Sequence, residues 1–197
     1  MSDDFIEKYF WSVMNTAFNV NKDSIEDAVD MLSDSHNVGR VFIIGMGGSA
    51  GNASHMANDL RKLCNIDAIC LTDNVPYMTA VANDHGVELI FSDYLESAKV
   101  YGNDILIVLS VGGGDYINEK PISESIINAI EYANDHHMEV LSIVGKENGY
   151  AANHTNVVIH LPVDEPTLLT PISEAFQAIV WHCIVSHPRL QTNKTTW

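Results

Sequence analysis

The chain has 197 residues, with 10 lysines and arginines against 26 aspartates and glutamates, for a formal net charge of -16. This length and a hydrophobic share of 46% suit one domain with a sizeable core and exclude a wholly disordered chain. The acidic excess sets nucleic acid and anionic membranes aside as partners. Any phosphate would have to be held mainly by backbone amides and hydroxyls, because cations are scarce.

Residues 3–35 read as two helices. Phe5, Tyr9, Phe10, Val13, Met14 and Ala17 recur at helical spacing, a polar break follows at Asn19–Asp23, and Ser24 precedes a second set, Ile25, Ala28, Val29 and Leu32. So apolar an arm (1–36) needs a surface to cover, in its own domain or on another subunit. From residue 40 the pattern changes. Short apolar runs at Val41–Ile44, Ala68–Leu71, Ile105–Leu109, Val140–Val144 and Val157–Leu161 are apolar on both faces, as interior strands of a parallel sheet are. Segments of helical length lie between and after them, at 50–63, 76–98, 123–137, 147–154 and 171–187. The alternation predicts an α/β fold, a doubly wound parallel sheet, in one domain over 1–197 with a core at 37–197.

Cys64, Cys70 and Cys183 form no CxxC pair and sit in apolar stretches, as buried reduced thiols of a cytoplasmic protein do. The start MSDDFIEKYFW lacks the basic residues and cleavage site of a signal peptide. No apolar run reaches the roughly 20 residues that cross a bilayer.

Three segments can carry chemistry at the carboxyl ends of the strands, where ligands collect in such sheets. Gly45-Met46-Gly47-Gly48-Ser49-Ala50 joins the first strand to a helix, where glycines admit a close ligand and the helix offers free amides. Ser110-Val111-Gly112-Gly113-Gly114-Asp115 follows the third strand and leads through Lys120 to Ser123, a good N-cap. Two such turns favour a phosphorylated small molecule over a structural coincidence. The third segment is a set of metal-type ligands: His55 and Asp59 at i, i+4, and Glu174 and His182 at i, i+8 on the last helix. Two imidazoles and two carboxylates suit zinc or a similar divalent ion, or a general acid and base. Taken singly, they also read as core histidines and solvated helix faces.

At GMGGSAGNASHMANDL the chain resembles the SIS (sugar isomerase) family and, within it, the sedoheptulose 7-phosphate isomerases. The likeness extends through Leu71-Thr72-Asp73, Ala82-Asn83-Asp84, the serine–glycine loop and a TPxxE helix. It implies a five-stranded parallel sheet flanked by helices, a homotetramer with sites between subunits, and a phosphorylated seven-carbon sugar as substrate. By position it implies substrate contacts at Gly47, Gly48, Ser49, Asn83 and Asp84, and at Ser110, Gly112, Lys120, Ser123 and Glu174. His55, Asp59, Glu174 and His182 take the places of the metal ligands, and Asp59 and His182 those of the catalytic base and its acid–base partner.

The chain departs from that pattern in four places. Met46 replaces an asparagine, Asp59 a longer glutamate, Glu174 a glutamine, and Gly112 a serine. The longer SVGGG…EKPIS loop and the EAFQAIVWHCIVSHP ending resemble a distinct branch of these isomerases. The resemblance also leaves room for a SIS module that binds a sugar phosphate or a replication initiator without turnover, and for an isomerase of another phosphosugar.

Overall fold

The computed structural model describes residues 4–34, 39–116 and 121–194. Five parallel strands form one sheet in the order β2-β1-β3-β4-β5. They are β1 (Val41–Gly45), β2 (Ala68–Cys70), β3 (Ile105–Ser110), β4 (Glu139–Val144) and β5 (Val157–His160). Val41 lies opposite both Ala68 and Ile105, Ile105 opposite Glu139, and Leu141 opposite Val157. The expected doubly wound α/β sheet is the one observed.

Because β1 and β3 are buried along their whole length, alternate residues feed two separate cores. Val41, Ile43, Ile105, Ile107 and Leu109 pack with α2 (Lys22–Asp34), α3 (Gly48–Cys64) and α8 (Leu169–Val185). Phe42, Ile44, Leu106 and Val108 pack with α4 (Val75–Asp84), α5 (Ile90–Ser97), α6 (Glu124–Asp135) and α7 (Tyr150–His154). The order reverses between β1 and β3, so the crevice at their carboxyl ends is the topological switch point where ligands bind in open α/β sheets.

The two N-terminal helices have different fates. On α2, Ala28, Val29 and Leu32 are fully buried in the first core. On α1 (Phe5–Asn19), Phe5, Ile6, Phe10, Trp11, Met14 and Phe18 are all exposed, Phe18 by 82%. Ser12 Oγ and Asn15 Nδ2 donate to the Asp164 carboxylate at 2.5 and 2.8 Å, tying α1 to the segment after β5.

Several expectations are corrected. The helix expected over 76–98 is two: α4 ends at Asn83-Asp84-His85-Gly86, where Gly86 takes φ 113°, and a 3-10 turn, Val87–Leu89, leads into α5. Ser24 does not open α2; Asn21 Oδ1 accepts the Asp23 N–H at 2.9 Å, and the helix starts at Lys22. Ser123 stands at the N-cap of α6 in the left-handed region, φ 55°, with no capping bond from its side chain. Cys183 is exposed rather than buried, because it falls on the outward face of α8; Cys64 and Cys70 are buried. Finally, Pro166–Val185 is a 20-residue helical segment long and apolar enough to cross a membrane. Half of that span is buried, with Ile172, Phe176, Val180, Trp181 and Ile184 in the first core, which accounts for its apolar character.

Candidate active site

The crevice between β1 and β3 is bounded by two turns. At the first, Gly47 is the N-cap of α3 with φ 61°, a conformation that side chains other than glycine's rarely take. Gly48 lies against the Glu174 carboxylate of α8, so a methyl group there would overlap it. Ser49 is buried in the first turn of α3. At the second turn, the Ser110 hydroxyl accepts the Gly113 N–H at 3.0 Å and keeps its own proton to donate. The carbonyls of Gly113 and Gly114 accept the Ala151 and Tyr150 amides, both at 2.9 Å, which fastens the loop to α7. Gly112 and Ser123 are half-buried. Ile122 and Asp115 pair through their backbones and close the base of the loop. Lys120 lies outside the described residues.

Asn83 and Asp84 are exposed at the C-terminal end of α4, where Asn83 Nδ2 donates to Asp84 Oδ1 at 2.7 Å. The preceding residue, Ala82, lines one cavity with Gly45, Met46 and Gly47, so this end of α4 borders the first turn.

A polar seam runs away from that turn between α3 and α8. Its first step is Gly48 against Glu174. At the second, Asn52 Nδ2 donates to Glu174 O at 2.9 Å and to Gln177 Oε1 at 3.2 Å. At the third, the His55 ring stands 4.7 Å from the buried Trp181 ring and 5.3 Å from that of His182. There, ligand atoms of His55, Asp59 and His182 all lie within 4.8 Å of one another. His55 Nε2 is 3.7 Å from Asp59 Oδ2, and Asn58 Nδ2 holds Asp59 Oδ1 at 2.9 Å. The Nδ1–H of His182 donates to Ala178 O at 2.7 Å, which leaves Nε2 as its ligating nitrogen.

Two imidazoles and a carboxylate fit a divalent ion such as zinc, which takes three protein ligands at about 2.0–2.2 Å in sites that keep one position open. The structure does not bring Glu174 into this group. Eight helical residues advance about 12 Å along the axis, so Glu174 and His182 share a face of α8 but serve opposite ends of the seam. Asn52, Gln177 and Trp181 are the members of the seam that sequence reasoning missed. Their only signal was spacing, Asn52 one turn before His55, Gln177 one turn after Glu174 and Trp181 one turn after Gln177, and it means nothing until α3 and α8 are known to touch.

Residues 7–145 match the model of the SIS domain. The phosphoheptose isomerase of Helicobacter pylori (strain ATCC 700392 / 26695) is 28% identical over 196 residues, which span 95% of this chain and 97% of that one. The phosphoheptose isomerase of Serratia proteamaculans (strain 568) is 34% identical over 148 residues, 72% of each chain. The solved structure of a phosphoheptose isomerase from Francisella tularensis is similar with a TM-score of 0.79 at 28% identity, covering 94% of this chain and 96% of that one.

Proposed function

The chain belongs to the SIS domain family, in its phosphoheptose isomerase branch, and from that membership we propose that it is an aldose–ketose isomerase converting sedoheptulose 7-phosphate to D-glycero-D-manno-heptose 7-phosphate. The observation that carries this reading is the convergence of His55, Asp59 and His182, drawn from two helices, to within 4.8 Å. Ser49 and His55 are six residues apart on α3, about 9 Å along the axis, a span comparable with an extended seven-carbon chain. The phosphate is held at the strand ends by Ser49, Ser110 and Ser123, the amides of Gly47 and Gly48, and the loop around Gly112. None of these adds charge, in keeping with an acidic chain. Asn83, Asp84 and Glu174 meet sugar hydroxyls.

Asp59 takes the proton from the carbon beside the carbonyl and returns it to the neighbouring carbon. His182 moves protons between the two oxygens of the enediol; its fixed Nδ1–H orients the ring for this. The His55, Asp59 and His182 set would hold a divalent ion, zinc in the first place, without Glu174, whose carboxylate lies at Gly48. When bound, the ion supplies polarisation of the carbonyl and stabilisation of the enediolate. Asp59 cannot at once be a tight ligand and a free base, so zinc-loaded and metal-stripped protein are assayed side by side. Incubation with sedoheptulose 7-phosphate is expected to yield the aldoheptose phosphate by NMR. No turnover in either preparation would overturn the reading.

The protein acts in the cytoplasm as a homotetramer with its sites between subunits. The uncovered apolar face of α1 and the exposed positions of His55 and His182 support that assembly. Deleting residues 1–19 should dissociate it and leave Val20 and α2 in the core, whereas a cut at residue 35 would also remove Val20, Ala28, Val29 and Leu32. A tetramer that survives the shorter deletion removes α1 from the interface.

A further inference from the structure

The corner from Asn83 to Leu89, which joins α4 to α5, borders both turns of the site. Ala82 and Val87 line one cavity with the first turn. Asn128 of α6, the helix that follows the second turn, donates its Nδ2 to Glu88 O at 2.9 Å. No residue from Asn83 to Leu89 is buried, so core packing does little to fix the corner and hydrogen bonds decide its place. Its backbone is held by the His85 and Gly86 amides, which donate to Val81 O at 2.8 and 3.1 Å. Among the described residues, His85 is the only side chain of the corner that hydrogen-bonds beyond it. Its Nδ1 lies 2.9 Å from Asp93 Oδ2 on α5, and because a carboxylate only accepts, that nitrogen carries the proton. The other oxygen, Asp93 Oδ1, accepts the Tyr77 hydroxyl of α4 at 2.5 Å. Tyr77 is itself held, its ring set edge-on to that of Tyr94 at 4.9 Å. The Tyr77 bond most of all, helped by His85, keeps the Asp93 carboxyl below its ordinary value of 3.8 against the pull of burial. One ionised carboxylate thus joins the middle of α4, the corner and α5.

We propose that Asp93 is a positioning residue for sugar binding: acting through His85, it holds the corner so that Asn83 and Asp84 stand at the edge of the crevice. Asn83 Nδ2 is taken by Asp84 Oδ1, so the pair offers acceptors, Asn83 Oδ1 and Asp84 Oδ2, to the hydroxyls of a sugar. His85 follows Asp84 directly, and the bond from its ring fixes the turn of backbone that carries both acceptors. A lost hydrogen bond to a charged group shifts an equilibrium by roughly 10- to 150-fold. That shift falls on the ordered corner and, through it, on sugar affinity. The metal group of His55, Asp59 and His182 stands on α3 and α8, which take no part in this clamp, so the chemical step is spared. The proposal rests on the sugar-phosphate reading of the site and adds the residue that sets its hydroxyl contacts.

The test uses the full-length protein and the variants Asp93→Ala and His85→Phe, singly and together; His85 is exposed, so its replacement leaves the fold in place. Affinity for sedoheptulose 7-phosphate is measured by calorimetry and kcat by NMR. Each single variant is expected to bind the sugar at least roughly fivefold more weakly than wild type, with kcat within about twofold. The double variant should bind no more than about twofold more weakly than Asp93→Ala, because both changes remove the same bond. A smaller loss of affinity in either single variant, a loss confined to kcat, or losses that multiply in the double variant overturn the proposal. Amide exchange without sugar reads the corner alone. The His85 and Gly86 amides should exchange at least roughly fivefold faster in both single variants, and unchanged rates overturn the clamp. Weaker binding by the variants of a protein that shows no turnover removes the isomerase reading and leaves the positioning role. Turnover by a wild type whose variants bind equally well does the reverse. A wild type that does not bind sedoheptulose 7-phosphate overturns both.

Discussion

At the amino end of β1 and β3 the polar groups answer one another completely. The buried Asp104 carboxylate accepts the Arg40 and Tyr101 amides at 2.7 and 3.0 Å and Arg40 Nη2 at 2.7 Å. The same guanidinium donates to Ala98 O and Lys99 O and lies 5.0 Å from the Phe42 ring centroid. At the carboxyl end, and along the α3–α8 seam that leads back from it, the accounting stays open. Four buried side-chain polar atoms lack a partner among the described residues, and three of them, Ser173 Oγ, Gln177 Nε2 and Trp181 Nε1, lie on α8. An unmade bond in a buried place costs about 1–3 kcal/mol, so such groups persist where something other than stability is served. One end of the sheet holds the fold, and the other, with the seam, is shaped for a ligand.

The sharpest way to break this contrast is in that seam. Asp59→Asn and His182→Ala should each lower sedoheptulose 7-phosphate turnover by roughly 10²- to 10⁴-fold, with unfolding free energies within about 0.5 kcal/mol of wild type. A large loss of stability in urea titrations would make these structural residues instead. At the amino end the expectation reverses. Asp104→Ala leaves Arg40 half-buried and unpaired and should cost about 3–5 kcal/mol of stability, while turnover per folded molecule stays within about twofold.

Acid sharpens the same comparison. Burial works to raise the Asp104 carboxyl, but hydrogen bonds from Arg40 outweigh it and hold the group below its ordinary value of 3.8. A carboxyl lowered in the folded state contributes stability that is fully present above its unfolded value and is lost as pH falls through the lower folded one. Wild type should therefore lose stability below about pH 4, and Asp104→Asn should lack that part of the acid limb. The smallest effect is expected at Gln177→Met. Asn52 keeps its bond to Glu174 O, an orphaned amide is removed, and stability should hold or rise by up to about 1 kcal/mol. Zinc affinity, measured by calorimetry, should fall by no more than about tenfold if the Asn52–Gln177 tie only orients the seam.

The strands were legible because each is an apolar run bounded by turn residues, and burial on both faces leaves no other periodicity to confuse it. The split of α4 from α5 was legible too, in Asn-Asp-His-Gly, but the apolar spacing on either side outweighed it. Cys183 was misjudged because an apolar neighbourhood in sequence does not say which face of α8 it occupies. In the site, His55 and Asp59 follow from their spacing on one helix. Glu174 and His182 also share a face, yet their separation along the axis keeps them from sharing an ion.

By itself, then, the sequence determined the strand and helix pattern, the glycine turns and the acidic balance, because these rest on local sterics, burial periodicity and composition. Only the tertiary structure decided that α2 belongs to the core while α1 keeps its apolar face uncovered, although the two carry similar patterns. It also decided that α3 and α8 lie side by side, bringing His182 to His55 and Asp59 and setting Glu174 at Gly48. Those outcomes depend on contacts between residues more than a hundred positions apart, which no local periodicity encodes.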